Sequence, residues 1–296
     1  MDYEIITDGS CDLSQEITKE KGIIVVPFYV SFDDQVYQKE MIEIGVREFY
    51  EKMVSNPGVY PKSSMPSVQD YVEAFLPVVK EKKAVLCICI TTKFSGSMQS
   101  ALSAKEIVLE DFPDAVITVI DATVNTVLQG LYVLEAVNMK EQGMEYEKAI
   151  ERLEEIKSTG RIFFTVGNLE YLQHGGRIGK VAGIAGTLLG IRPLITLKEG
   201  EIFASGIARN RKKSMEKVIE LLKNYLRECA LALSKYSLTV GYGYDYEEAC
   251  LFRDMVAAGL KEEFGSIEIS IFQIGATIGV HTGPYPIGVG IIQKAI

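Results

Sequence analysis

Residues 88–108 read ICITTKFSGSMQSALSAKEIV, and the change of rhythm inside this stretch decides the fold. With Val85 and Leu86, its first residues make a short run of branched apolar side chains closed by a polar turn, the pattern of a strand buried on both faces. From Met98 onward, Ala101, Leu102, Ala104 and Val108 recur three and four apart, so a helix is expected. Residues 91–97 therefore join the carboxyl end of a strand to the amino end of a helix, where open α/β sheets bind ligands. Unpaired N–H groups and the positive end of the helix dipole favour an anion there, and Thr91, Thr92, Ser95 and Ser97 add hydroxyl donors. Ser95 and Gly96 are read as a cradle for a small negative group, foremost a carboxylate. On local sequence alone, Ser95 or Ser97 acting as a plain helix cap is the competing assignment.

Upstream, residues 3–7 read as a first strand, and TDGSCDLS after it as a turn leading to a short helix near Ser14. Asp8, Ser10 and Asp12 in that turn suit a cation or an activated nucleophile, but any turn and helix cap uses the same residue types. A β-rich run covers residues 23–32, and helical spacing covers residues 46–53. Prolines 57, 61 and 66 then break regular structure, so Ser63 and Ser64 of PKSSMPS are expected on a loop. Ser67 and Asp70 have the spacing of a capping pair for a helix to about Lys83, which Pro77 should kink or interrupt. Downstream of the central stretch come a strand at 115–121, a long helix to about Gln142 and a second at 146–157. Strands alternating with helices imply a mostly parallel sheet covered on both faces.

After Gly160 the rhythm changes. A strand at 162–166, a short helix in LEYLQHGG, a small-residue helix in RIGKVAGIAGTLLG and a hairpin at 192–207 are expected. A helix at 212–226 and then strand, helix, strand, strand to residue 293 complete an α+β unit on a mixed or antiparallel sheet. Two domains follow, residues 1–160 and 161–296, with a cleft between them where a ligand is commonly buried.

Composition narrows the function. The 296 residues are 47% hydrophobic, enough for a substantial core, and the net charge of −9 disfavours an electrostatic grip on nucleic acid or an anionic lipid surface. Basic residues cluster only around Arg177 and Lys180 and over residues 209–213. MDYEIITDGS carries no basic n-region or cleavable apolar segment, and the longest apolar run, residues 181–191, is too short to span a bilayer, so a cytoplasmic location without stable membrane insertion is expected. Five cysteines, at positions 11, 87, 89, 229 and 250, show neither disulfide nor zinc spacing, and His174 and His281 form no metal pair, so no metal is expected. No strand is followed by G-x-G-x-x-G, and GGRIGKV has Val181 where a phosphate loop needs Ser or Thr. Ser95 lacks the flanking glycines of a nucleophile elbow, since Lys93 and Ser97 hold those places. A hydrolase or phosphotransfer enzyme using Asp8, Ser95 and His281, with Asp121 as another acid, stands as the alternative function.

TDGSCDL, PKSSMPS, FSGSMQSA, LEYLQHGGRIG, IARNRKK and HTGPYPIGVG, in this order and over nearly the whole chain, resemble the successive signatures of the DegV family. The resemblance implies a bacterial fatty-acid-binding protein with an α/β first domain and an α+β second domain, one acyl chain buried between them, and no catalytic residues or cofactor of its own. It implies a monomeric carrier that presents the carboxyl group to a separate fatty acid kinase for acyl-phosphate formation. By position, Ser63, Ser95, the N–H of Gly96 and His281 would surround the carboxylate, with Arg177 and Arg209 near the opening where the kinase docks. The sequence departs from the family where Ser63 replaces Thr, Met65 replaces Gln, and Ser97-Met98 replaces Thr-Tyr; ATVNTVLQG lacks the family's Asp-Ser start and later Ser. The first change keeps a hydroxyl, and the others reshape the pocket. Without the resemblance, His281 reads rather as a core or helix-end histidine satisfied by backbone, and the two arginines read equally as solvated charges or helix caps.

Overall fold

The computed structural model describes residues 1–184, 190–229 and 231–296. In chain order the elements are β1 (Tyr3–Asp8), α1 (Gln15–Glu20), β2 (Ile24–Val26), β3 (Tyr29–Ser31), β4 (Gln38–Lys39), α2 (Val46–Ser55), β5 (Lys62–Ser64), α3 (Val68–Lys80), β6 (Ala84–Cys89), α4 (Ser97–Asp111), β7 (Ile117–Asp121), α5 (Thr126–Glu141) and α6 (Tyr146–Lys157). They continue as β8 (Arg161–Thr165), α7 (Glu170–His174), β9 (Arg192–Lys198), β10 (Glu201–Ala208), α8 (Arg211–Glu228), β11 (Tyr236–Tyr242), α9 (Tyr246–Phe264), β12 (Ile269–Gln273), α10 (Ala276–Thr282) and β13 (Ile287–Gln293).

Every residue of β6 is buried, as its unbroken apolar run requires, and it lies mid-sheet in an all-parallel order β2-β1-β6-β7. Its side chains alternate between two cores. Cys87 and Cys89 pack as small apolar groups with Tyr71 and Phe75 of α3 and Ala101 and Ala104 of α4, while Leu86 and Ile88 face Leu128 and Tyr132 of α5. The second sheet has the order β10-β9-β8-β13-β11-β12 and is mixed: β11 and β12 run parallel and the other pairs antiparallel. Its outer face is covered by α8 and α9 through Val218, Leu222, Phe252 and Val256. The β9–β10 hairpin turns at Glu199 and Gly200, both at positive φ, the twist that a two-residue hairpin loop requires.

Helix α5 lies between the sheets, touching β1 on one side and β11 and β13 on the other. Because both flanks are covered, it is apolar almost all round rather than on one stripe. One core cluster runs through it from Ile5 and Leu86 to Ile195 and Ile292. Its buried Glu135 accepts hydrogen bonds from Ser237 Oγ and the backbone N–H of Ala295, both at 2.8 Å.

The structure departs from the sequence expectations in three places. Residues 62–64 form a strand, since Ser63 and Ser64 pair with Val30 and Tyr29, so PKSSMPS is not simply a loop. Helix α3 begins in the expected capping box of Ser67 and Asp70 but runs through Pro77 and stops at Lys80. Residues 276–282, to which the sequence reading assigned no element, form α10. The small-residue helix expected over residues 177–190 is described only to a 3-10 turn, Ala182–Ile184, and residues 185–189 lie outside the described residues.

Candidate functional site: a cavity between the two sheets

The polar end of β1 is a structural knot. Asp8, fully buried, accepts hydrogen bonds from Ile90 N (2.9 Å), Gln129 Nε2 (2.9 Å) and Ser97 Oγ (2.8 Å). Tyr71 OH meets Ser97 Oγ at 2.6 Å, and Ser10 Oγ donates to Gln129 Oε1 at 2.6 Å. Burial raises the Asp8 pKa against these stabilising bonds. The knot binds the exits of β1 and β6 to α4 and α5, which fixes the loop bearing Ser95. Asp8 makes no hydrogen bond to His281 among the described residues, so the acid, nucleophile and base of the alternative enzyme are not assembled as a triad.

That loop opens on a cavity of about 280 Å³ lined by Ser63, Ser95, Gly96, Arg177 and His281 and by apolar side chains including Phe28, Ile90, Phe94, Val127, Phe164, Leu197, Ile274 and Ile278. Ser95 and Gly96 arrive from the β6–α4 turn, Ser63 from β5, His281 from α10 and Arg177 from the segment after α7. Ser63 Oγ lies 3.2 Å from His281 Nε2. Ser95 is not the N-cap of α4, which is Gly96; its Oγ accepts from Ser97 N at 3.2 Å, and this bond leaves its hydroxyl proton to be donated elsewhere. Gly96, the residue before α4, lies beneath Met65, whose Sδ would be 2.8 Å from an added Cβ. Arg177 is exposed at the rim, its Nε donating to Phe94 O (3.1 Å) and Nη1 to Gly175 O (2.9 Å). Arg209 is exposed after β10 and is not among the residues lining the cavity.

A glycine admits His281. Any Cβ at Gly175 would collide with the imidazole, which accounts for the first glycine of GGRIG. His281 Nδ1 is enclosed and without a hydrogen-bond partner, while the ring keeps partial access beside Ser63. Burial, reinforced by the nearby Arg177 charge, lowers its pKa to about 4, so the ring is neutral at pH 7. A neutral imidazole still offers one N–H, and an approaching carboxylate would favour adding the second proton.

The amino end of α10 meets two acids, Asp12, which the sequence reading placed in a turn, and Glu40, which it did not single out. Glu40, 2% exposed, accepts from Ala276 N, from Thr277 N at 3.3 Å and from Thr277 Oγ1 at 2.6 Å. Asp12 accepts from Thr126 Oγ1 at 2.5 Å, and a Cβ at Gly275 would strike both carboxyl groups. Burial pushes the Glu40 pKa up to about 7; burial and then the charge of Glu40 raise that of Asp12. The available signal was Gly275 and Gly283 bracketing ATIGVHT, with helical stops on either side of a seven-residue segment. Nothing local in QKEMIE marks Glu40, whose role depends on a contact across 236 residues.

A parallel sheet and a mixed sheet packed about a shared helix, each covered by further helices, with an apolar chamber between them and hydroxyl, imidazole and guanidinium groups on its lining, define an α/β protein built around an internal cavity. The chain belongs to the DegV family: the family model described as "Uncharacterised protein, DegV family" matches residues 2–294. A DegV domain-containing protein of Halalkalibacterium halodurans is 31% identical over 285 residues, 96% of each chain. A stearic acid-binding protein from Eubacterium ventriosum is 43% identical, with a TM-score of 0.92 and 99% of each chain covered. A DegV family protein from Thermus thermophilus, described by its fatty acid binding, is 30% identical with a TM-score of 0.87, over 99% of this chain and 100% of that one. Among the described residues no helix is long and apolar enough to cross a membrane.

Proposed function

We propose that the protein is a monomeric cytoplasmic carrier that binds a long-chain fatty acid and presents its carboxylate to a fatty acid kinase for acyl-phosphate formation, without catalytic residues or a cofactor of its own. The observation that carries this reading is the chamber itself: apolar in depth, with Ser63, Ser95, Gly96 and His281 gathered at one end. A carboxylate taking bonds from the two hydroxyls, the Gly96 N–H and the imidazole gains about 1.5–3 kcal/mol for each charge-assisted contact. Each methylene buried behind it contributes about 0.8 kcal/mol, so the tail supplies most of the gross affinity and the head sets orientation. Ordering the ligand and the rim offsets part of that sum. Arg177 at the rim and exposed Arg209 supply positive charge for the kinase and its phosphate-bearing nucleotide. The fatty-acid-bound relatives named above support the ligand class.

Solvent extraction of the purified protein followed by mass spectrometry tests the first half, with a stoichiometric fatty acid expected. Its absence from both native and acid-supplemented protein sinks the reading. For the second half, a fatty acid kinase with ATP should release ADP only when the loaded protein is present.

A further inference from the structure

Most polar side chains deep in the chamber have partners within the protein. The hydroxyl of Thr126 donates to Asp12, that of Thr277 to Glu40 and that of Thr282 to Ile278 O. Among the described residues, two chamber-lining side chains keep a buried polar atom without a partner: His281 Nδ1 and Asn125 Oδ1. The first belongs to the carboxylate end. Asn125 does not, and it is only 9% exposed.

Asn125 stands at the N-cap of α5, where an asparagine ordinarily turns its oxygen onto the helix N–H groups, yet its side chain makes no capping bond. Asn125 lines the chamber, with Oδ1 enclosed, so the Nδ2 side of the carboxamide is the one left to the chamber. Its neighbour Thr126 is tied to Asp12, which lies at Gly275, so the start of α5 is level with the start of α10. His281 lies near the other end of α10, five residues beyond Ala276, roughly 7.5 Å of helix rise away. The amide therefore meets the ligand several carbons from its carboxyl group, among Ile90, Val127 and Ile274. A carboxamide left without a partner in such surroundings is unfavourable, and a ligand oxygen that takes its N–H removes part of that penalty.

We infer that Asn125 is a second polar subsite and that the preferred ligand is a long-chain acid carrying a hydroxyl or keto oxygen partway along its chain. This rests on the fatty-acid reading and narrows its substrate class. The carboxamide donates through Nδ2 to a hydroxyl or keto oxygen, or after rotation accepts from a hydroxyl through Oδ1, so either oxygen function fits. A site built to bond such a group discriminates against the chain that lacks it.

The test is calorimetric titration of the delipidated full-length protein with stearic acid and with hydroxystearic acids substituted at successive carbons. Wild-type protein should bind one mid-chain isomer at least about tenfold more tightly than stearic acid. In Asn125→Leu and Asn125→Ala that preference should vanish. If wild-type protein binds no isomer better than stearic acid, or if the preference survives in either variant, the inference is overturned while the fatty-acid reading stands. If the wild-type protein binds neither acid class, both fall. The comparison of acids on wild-type protein remains decisive even where a variant does not fold.

Discussion

The neutral, enclosed imidazole of His281 makes a prediction that needs no ligand. The group is held at a pKa of about 4 against an ordinary 6.5. Above pH 6.5 the ring is neutral in both folded and unfolded chains, and below pH 4 it is charged in both. Between these values only the unfolded chain takes up the proton, so stability is intact above pH 6.5 and is lost as pH falls toward 4. At about 1.4 kcal/mol per pH unit, the loss amounts to about 3 kcal/mol over the window. Glu40 works in the opposite sense. Its raised pKa of about 7 means that the folded chain retains a proton the unfolded chain releases, so its contribution is lost as pH rises from 4.5 to 7. The wild-type curve mixes both effects, and the difference from His281→Gln isolates the histidine. Urea unfolding of the two proteins at intervals from pH 7 to pH 4 should show wild type losing about 3 kcal/mol relative to the variant. The chain has only two histidines, so His174→Gln leaves a single imidazole for NMR titration. A ligand-free midpoint near 6.5, or a stability difference flat across the range, would refute the reasoning. With a fatty acid bound, the adjacent carboxylate should raise the midpoint, and by reciprocity affinity should tighten as pH falls through that raised midpoint toward 4.

Two further outcomes are expected. Ser63→Ala removes one hydroxyl from the carboxylate end and should weaken binding of a long-chain acid by about 1.5–3 kcal/mol, roughly tenfold to a hundredfold by calorimetry; an unchanged Kd would remove Ser63 from the site. Glu40→Gln replaces a carboxyl that changes charge within the working pH range with one that cannot. The stability of wild type minus variant should therefore shrink by about 3 kcal/mol between pH 4.5 and pH 7 in urea unfolding, and a constant difference would show that Glu40 titrates normally.

The parts of this protein legible in its sequence are those set by local pattern. The β6–α4 stretch announces itself because a fully buried parallel strand needs an unbroken apolar run and its helix needs small residues where α3 crosses it. The Ser67–Asp70 cap and the Glu199–Gly200 turn are equally local. His281 was found through the resemblance of HTGPYP to a family signature, not through its periodicity, because α10 is one short helix without a polar face. The roles of Glu40, Asn125 and Gly175 were not legible, since each depends on what lies opposite it in space: a helix end, a chamber and an imidazole. Asp8 shows the converse. An acid in a turn invites a catalytic reading, yet Gln129 and Ser97, brought from distant helices, make it a tether.

Helix α5 acts as a keel, one flank against each sheet, pinned through Glu135 to Ser237 and to the last turn of chain at Ala295. Swinging the two sheets apart would have to break this keel's contacts on one flank. On the proposed function, an acyl chain would then leave lengthwise past Arg177, so its residence time should grow with its length, and it should travel with the protein through dilution and purification until something at the rim draws it out.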